Sequence, residues 1–342
     1  MLARVHILLP YALIVPEHEK YTVYAYDING YRTRIYMPER SDRVDTHNDA
    51  ENITLNGNKA FNADVLRIDF QKDDFERKLE NTGENEFTCD PPVDLIKDIA
   101  NDFLRRLRYV TNGSKIKLLE FPSTNWTLRY LNDDGSELDK EEGLLRGRGA
   151  RKFQFSFVAV NNDIWDNIHS LQPFQPIPVW KNLLLDADSI LPEVGPAIVL
   201  TFTALEVFIS KNLDDIVATG KIDGSLWKWI NERGPLKDPS IEEKYDFLSR
   251  YLIGKSIKED NKMWESFKHL RKARNSFAHS GISKVNETEV TPDKAREFIV
   301  KANEVINFVK EGLAEELQWP EFKHSIEVSF TKALVKQEGN DN

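Results

Sequence analysis

The chain has 342 residues, a formal net charge of −10, 40% hydrophobic residues and 11% aromatics. That length suits two domains better than one and is enough to bury a real core. The acidic balance argues against wrapping nucleic acid along an extended basic groove, which needs clustered Lys and Arg, but it allows a small site that reaches one phosphate.

The only cysteine, Cys89, cannot form an internal disulfide, and no Cys or His cluster has zinc-ligand spacing. Residues 1–10 hold a short apolar run without a basic lead or a small-residue cleavage site. No apolar stretch reads as long enough to cross a bilayer. The expectation is a cytoplasmic protein with no membrane attachment, no cofactor and no metal.

Strand signals dominate the first half. Tyr21-Thr22-Val23-Tyr24-Ala25-Tyr26 and Arg34-Ile35-Tyr36-Met37 flank Asp27-Ile28-Asn29-Gly30, which reads as a hairpin turn. Residues 65–70 alternate like a half-buried strand. Pro91-Pro92-Val93 leads into an amphipathic helix with Leu95, Ile96, Ile99, Phe103, Leu104 and Leu107 on one side. Its Arg105, Arg106 and Arg108 fall near the far end, where cations suit the helix dipole. Further strands are expected at 115–121, 126–131 and 152–160, with Asn132-Asp133-Asp134-Gly135 as a turn. Residues 1–160 thus read as an α+β sensor or scaffold domain with a mostly antiparallel sheet. Residues 161–178 read as a linker, closed by the prolines of 173–178.

Beyond the prolines the pattern turns helical, and residues 179–318 read as a helical bundle. Helices are expected near 178–189, 192–218, 240–253, 261–279 and 292–315. Thr291-Pro292-Asp293 is a clean start for the last, with Thr as N-cap and Pro at the first helical position. Residues 319–342 read as an extension, its polar end disordered.

Two of these helices carry a matching irregularity. Met263, Phe267, Leu270 and Phe277 form an apolar stripe with one member missing, and position 274 in that gap is Arg. In the helix at 192–218, Val199, Phe202, Ile209 and Leu213 form a stripe on which Glu206 lies. A charge on an apolar seam is costly unless compensated, so Glu206 is expected to orient Arg274. His279 lies about 140° round the helix from Arg274. The two side chains therefore diverge, and a two-fold dimer would supply the missing half of a shared site. Asn275 and Ser276 share a face with His279.

Arg274-Asn275-Ser276-Phe277-Ala278-His279 resembles the signature of HEPN domains: Arg, a polar residue, a short spacer and His. Ala204-Leu205-Glu206-Val207-Phe208-Ile209 is similar to the helix packed against it in bacterial members, especially the ApeA-like branch. The resemblance covers roughly residues 175 to 318. It implies an all-α HEPN bundle, metal-independent cleavage of RNA, a homodimer, and a role in prokaryotic anti-phage defence or a toxin-like system. It also implies His279 as general acid/base, Arg274 as the phosphate ligand and Asn275 in support. A Tyr two residues after the His marks one toxin subgroup, but that position here is Gly281.

Arg271 is expected on the His279 side of the helix, reaching RNA. The first domain would sense a phage-derived or protein trigger. The competing reading is a non-catalytic HEPN module that dimerises and binds a nucleotide or partner, with Glu206 merely structural.

Overall fold

The computed structural model describes residues 1–17, 19–41, 51–76, 79–83, 86–121, 124–132, 136, 138, 154–220, 222–231 and 239–332. The chain is an α+β protein that divides into two compact units. One is Met1–Gln175 together with Phe322–Asn342, and the other is Pro176–Glu321.

In chain order the first unit holds β1 (Leu2–Pro16), β2 (Tyr24–Ile28), β3 (Tyr31–Ile35), β4 (Glu51–Leu55), β5 (Asn58–Gln71), β6 (Leu79–Gly83) and β7 (Glu86–Cys89). Helix α1 (Val93–Thr111), strands β8 (Trp126–Leu131) and β9 (Gln154–Ala159), and helix α2 (Asn162–Ser170) follow. The long strands β1 and β5 pair antiparallel, from Leu2↔Gln71 to Pro16↔Ala60, with a register shift between Leu8 and Leu13. Each takes two shorter strands in succession along its other edge. β5 takes β4 and β3, while β1 takes β8 and, in parallel, β9. β2 joins β3 through a tight turn at Asn29 and Gly30, both at positive φ, as that two-residue hairpin requires. Alternation sends Ala3, Val5, Ile7, Leu66, Ile68 and Phe70 inward, all fully buried, as are Ile96, Phe103, Leu104 and Leu107 of α1.

The second unit begins with α3 (Val179–Ser189) and α4 (Val194–Ala218), then α5 (Gly224–Asn231) and the short α6 (Ile241–Glu243). A π-helical turn, Lys244–Leu248, runs into α7 (Ser249–Ile253). Next come α8 (Asn261–Ser280), the small hairpin β10 (Lys284–Val285) and β11 (Thr288–Glu289), and α9 (Pro292–Lys310). Local chemistry sets the starts: Asp260 accepts from the amides of Lys262 and Met263, and Thr291 accepts from Lys294 with Pro292 behind it. α4 is the central helix, burying Ala197, Ile198, Phe202, Leu205, Ile209 and Leu213.

Several expectations need correction. By length and composition α4 would suffice to cross a membrane, so the chain does contain one such stretch. Here 44% of its apolar window is buried, and Ala197, Ile198, Phe202, Leu205 and Ile209 belong to the core of the bundle. The supposed linker 161–178 contains α2, started by Asn161, whose side chain accepts from the Ile164 amide at 3.0 Å. Residues 115–121 form no strand. Their backbone is held by side chains: Asn101 Nδ2 donates to the Leu119 carbonyl while its Oδ1 accepts from the Leu119 amide, and the Tyr11 hydroxyl donates to the Lys117 carbonyl.

The extension after 318 returns to the first unit as β12 (Val328–Lys332), antiparallel to β4. The expected turn at 132–135 and the polar end of the chain lie largely outside the described residues. Arg106 does not sit at the helix end for the dipole's sake. It is buried, ion-paired to Asp102 one turn back at 3.0 Å and bonded to the carbonyls of Ile168 and Leu171.

Candidate active site

α8 carries the candidate residues in its last two turns. The helix stops where Gly281 takes a left-handed conformation, φ +73°, and its amide donates to the Phe277 carbonyl at 2.8 Å. The hydroxyl of Ser276 donates to the carbonyl of Ile282, just beyond that stop. Lys272 reaches the Asn286 side chain in the β10–β11 turn at 3.3 Å. His279 therefore sits in the last turn of the helix.

The faces follow from 3.6 residues per turn. Phe267, Leu270 and Ala273 are buried, while Asn275 and His279 are exposed. Arg274 lies on the border and is half-buried. Its Nη1 donates to Asn275 Oδ1 at 3.2 Å, and its guanidinium carbon lies 5.7 Å from the Phe202 ring centroid. Asn275 thus orients Arg274 directly. Phe202 supplies the aromatic wall on which the guanidinium rests.

Glu206 does not pair with Arg274, which corrects the expected ion pair. Phe267 lies beside Phe202, and Phe277 lies against Gly195, so α8 runs antiparallel to α4. Counting from the Gly195–Phe277 contact, Arg274 lies level with position 198. Glu206 is then eight residues further, roughly 12 Å along the axis. Glu206 stands nearer Tyr245, whose hydroxyl is held neutral first by burial and then by that carboxylate. That hydroxyl donates to the Leu205 carbonyl at 2.9 Å.

Arg271 is also committed differently from its expected role, since its Nη1 lies 2.7 Å from Glu242 Oε2 on α6. The structure thus brings Arg274 and Asn275 together, leaves His279 exposed on the same helix end, and assigns Arg271 and Glu206 to other neighbours. Among the described residues, no group of three or more His, Cys, Asp or Glu side chains is placed to hold a metal ion.

Sequence reasoning missed Gly195. A Cβ built there would overlap the Phe277 ring, so only glycine lets the end of α8 seat against α4. A glycine inside a strongly apolar helical pattern was the available signal. Comparison with family models, curated proteins and solved structures gives no match for this chain.

Proposed function

We propose that the helical unit is a HEPN-type endoribonuclease that cuts RNA without a metal. The supporting observation is the exposed end of α8. There Arg274 is aligned by Asn275 and Phe202, and no carboxylate pairs with it among the described residues. A guanidinium in that state keeps N–H donors for a phosphate, which it can grip with two of them at once.

In this reaction the ribose 2′-oxygen attacks the adjacent phosphorus and the bond to the 5′-oxygen breaks. His279 transfers a proton, and Arg274 stabilises the charge that develops on the phosphoryl oxygens. Imidazole suits the task because it changes charge near neutral pH. The divergence of Arg274 and His279 on one helix leads us to place the second half of the site on another copy of the chain. A role in anti-phage defence or a toxin-like system, with the first unit as sensor, follows from the HEPN resemblance.

Total RNA incubated with the protein and a chelator should give 2′,3′-cyclic or 3′-phosphate ends and 5′-hydroxyl ends. His279→Ala should lose about 10²–10⁴-fold in rate. Magnesium-dependent cutting that leaves 5′-phosphates, or full activity in the variant, would refute the assignment. The second reading is a binding module without catalysis. The Arg271–Glu242 pair favours it, because a cation expected to meet RNA is engaged elsewhere. Inert protein that still dimerises would support that reading.

A further inference from the structure

Two helical turns before His279, α8 carries a lysine that the cleavage step does not use. Seven residues on an ideal helix come to about 700°, within about 20° of two full turns, and to roughly 10.5 Å along the axis. Lys272 therefore stands on the same face as His279, with Asn275 between them along the axis, and all three are exposed. Helical side chains lean toward the N-terminus, so both lean the same way and the separation holds.

The cations on the neighbouring turn are taken by carboxylates. Lys268 Nζ lies 2.6 Å from Glu265 Oε1, and Arg271 Nη1 lies 2.7 Å from Glu242 Oε2. Lys272 meets an amide instead: its Nζ donates to Asn286 Oδ1 at 3.3 Å.

The hairpin turn sets Asn286 in place for this. Val285 pairs with Thr288, so Asn286 and Glu287 form a two-residue turn, and both hold the positive φ that such a turn requires, +50° and +65°. The Ser276 hydroxyl holds the Ile282 carbonyl at 2.8 Å, tying the entry to the hairpin to the same helix. Arg274 is anchored in the same manner, by the amide oxygen of Asn275 at 3.2 Å. An amide dipole orients a cation without cancelling its charge, as a carboxylate would.

We propose that Lys272 is a substrate-binding residue that holds a phosphate flanking the one that is cut, so that a single RNA strand follows the outer face of α8. The choice of RNA rests on the ribonuclease reading of the helical unit. Asn286 is the positioning residue. An ammonium with three rotatable donors accepts a phosphate in many orientations, which suits a flexible strand. The contact touches no base, so it rewards chain length and not sequence.

The full-length protein is assayed on the dinucleoside monophosphate UpU, which has only the phosphate to be cut, and on octauridylate. Lys272→Ala should raise KM for the octamer about tenfold, far more than for UpU, with the loss in KM and not in kcat. The slope of log kcat/KM against log salt on the octamer should fall by about 0.7. Lys272→Arg should restore both, because the charge returns. Asn286→Gly tolerates the positive φ but lacks the amide oxygen. It should raise KM less than Lys272→Ala does and leave the slope at its wild-type value.

Equal losses on the two substrates in a folded Lys272→Ala protein, or no loss on the octamer, would overturn the proposal. Octauridylate titrated onto His279→Ala protein by fluorescence anisotropy separates it from the ribonuclease reading, and affinity there should depend on Lys272 in the same way. Protein that cuts nothing but loses octamer affinity in Lys272→Ala would remove the ribonuclease reading and leave this one standing. Cutting that is indifferent to Lys272 would do the reverse. Protein that neither cuts nor holds the octamer would remove both.

Discussion

Arg106 and Arg274 occupy similar places in the two units, each near the end of a long helix and each interrupting an apolar surface. Their surroundings differ completely. Arg106 is 1% exposed, with Asp102 at 3.0 Å, two backbone carbonyls at 3.3 Å and the Tyr26 ring 5.6 Å away. Arg274 is half-buried and meets one amide oxygen on the next residue and one aromatic ring. The cause lies four residues away in each helix. Asp102 precedes Arg106 by four, the spacing that brings side chains together, whereas Leu270 and Ala278 flank Arg274 at that distance. A cation compensated on all sides holds a fold together. One anchored on a single side is poised for something that arrives.

The largest expected effect separates these two roles. Arg106→Ala leaves Asp102 buried without its partner and should cost about 3–5 kcal/mol. Burial already raises the Asp102 pKa, with Arg106 opposing it, so the variant should hold that carboxyl protonated still more readily. Arg274→Ala loses a surface hydrogen bond and a cation–π contact and should cost about 1 kcal/mol or less. Urea titrations measure both, and ribonuclease assays should rank the two variants in the opposite order. Equal stability losses would erase the distinction on which the site assignment leans.

That contrast also marks how far the sequence could be read. α9 was legible because its cap and apolar spacing agree at Thr291 and Pro292, and α8 from its apolar spacing, while the Asp260 cap of α8 went unread. The 24–35 hairpin was legible from Asn29-Gly30. β1, which carries much of the sheet, was not. Its inward alternation runs as far as Pro10 and becomes continuous burial from Tyr11 onward, and such a run does not declare a strand. α2 hid in its nine residues, too few for periodicity to stand out.

At the candidate site, the residues Arg274, Asn275 and His279 could be read from the motif. Their neighbours could not. The Glu206 pairing depended on the register between α4 and α8, a tertiary quantity set by Gly195 and Phe277.

The next effect tests that register. Gly195→Ala forces the Phe277 ring to move, because the new methyl would occupy its place. Overpacking of this kind typically costs about 1–3 kcal/mol. Phe277 lies between Arg274 and His279 in the chain, so the same substitution should lower activity by more than its stability loss explains. Phe277→Leu should restore part of both. A Gly195→Ala protein with wild-type stability and activity would show that the end of α8 adjusts without consequence.

The smallest effect compares two carboxylates and is read against pH. Burial would raise the Asp69 pKa, but hydrogen bonds from Arg4 and Arg67 outweigh it and leave the group below its ordinary value. Asp102 goes the other way, raised by burial that Arg106 only partly offsets. A carboxylate with a depressed folded pKa contributes stability that is complete above the unfolded value, near pH 4, and fades as pH falls toward the folded one. A raised carboxyl carries a penalty at neutral pH that acidification relieves. Asp69→Asn should therefore lower Tm at pH 7, and its deficit against wild type should shrink below about pH 4. Asp102→Asn should show no such convergence, because the wild-type carboxyl is already the more readily protonated in the folded state. Thermal melts followed by circular dichroism between pH 7 and pH 3 measure both, and a deficit for Asp69→Asn that stays constant across that range would place its contribution in packing, not in the two arginine pairs.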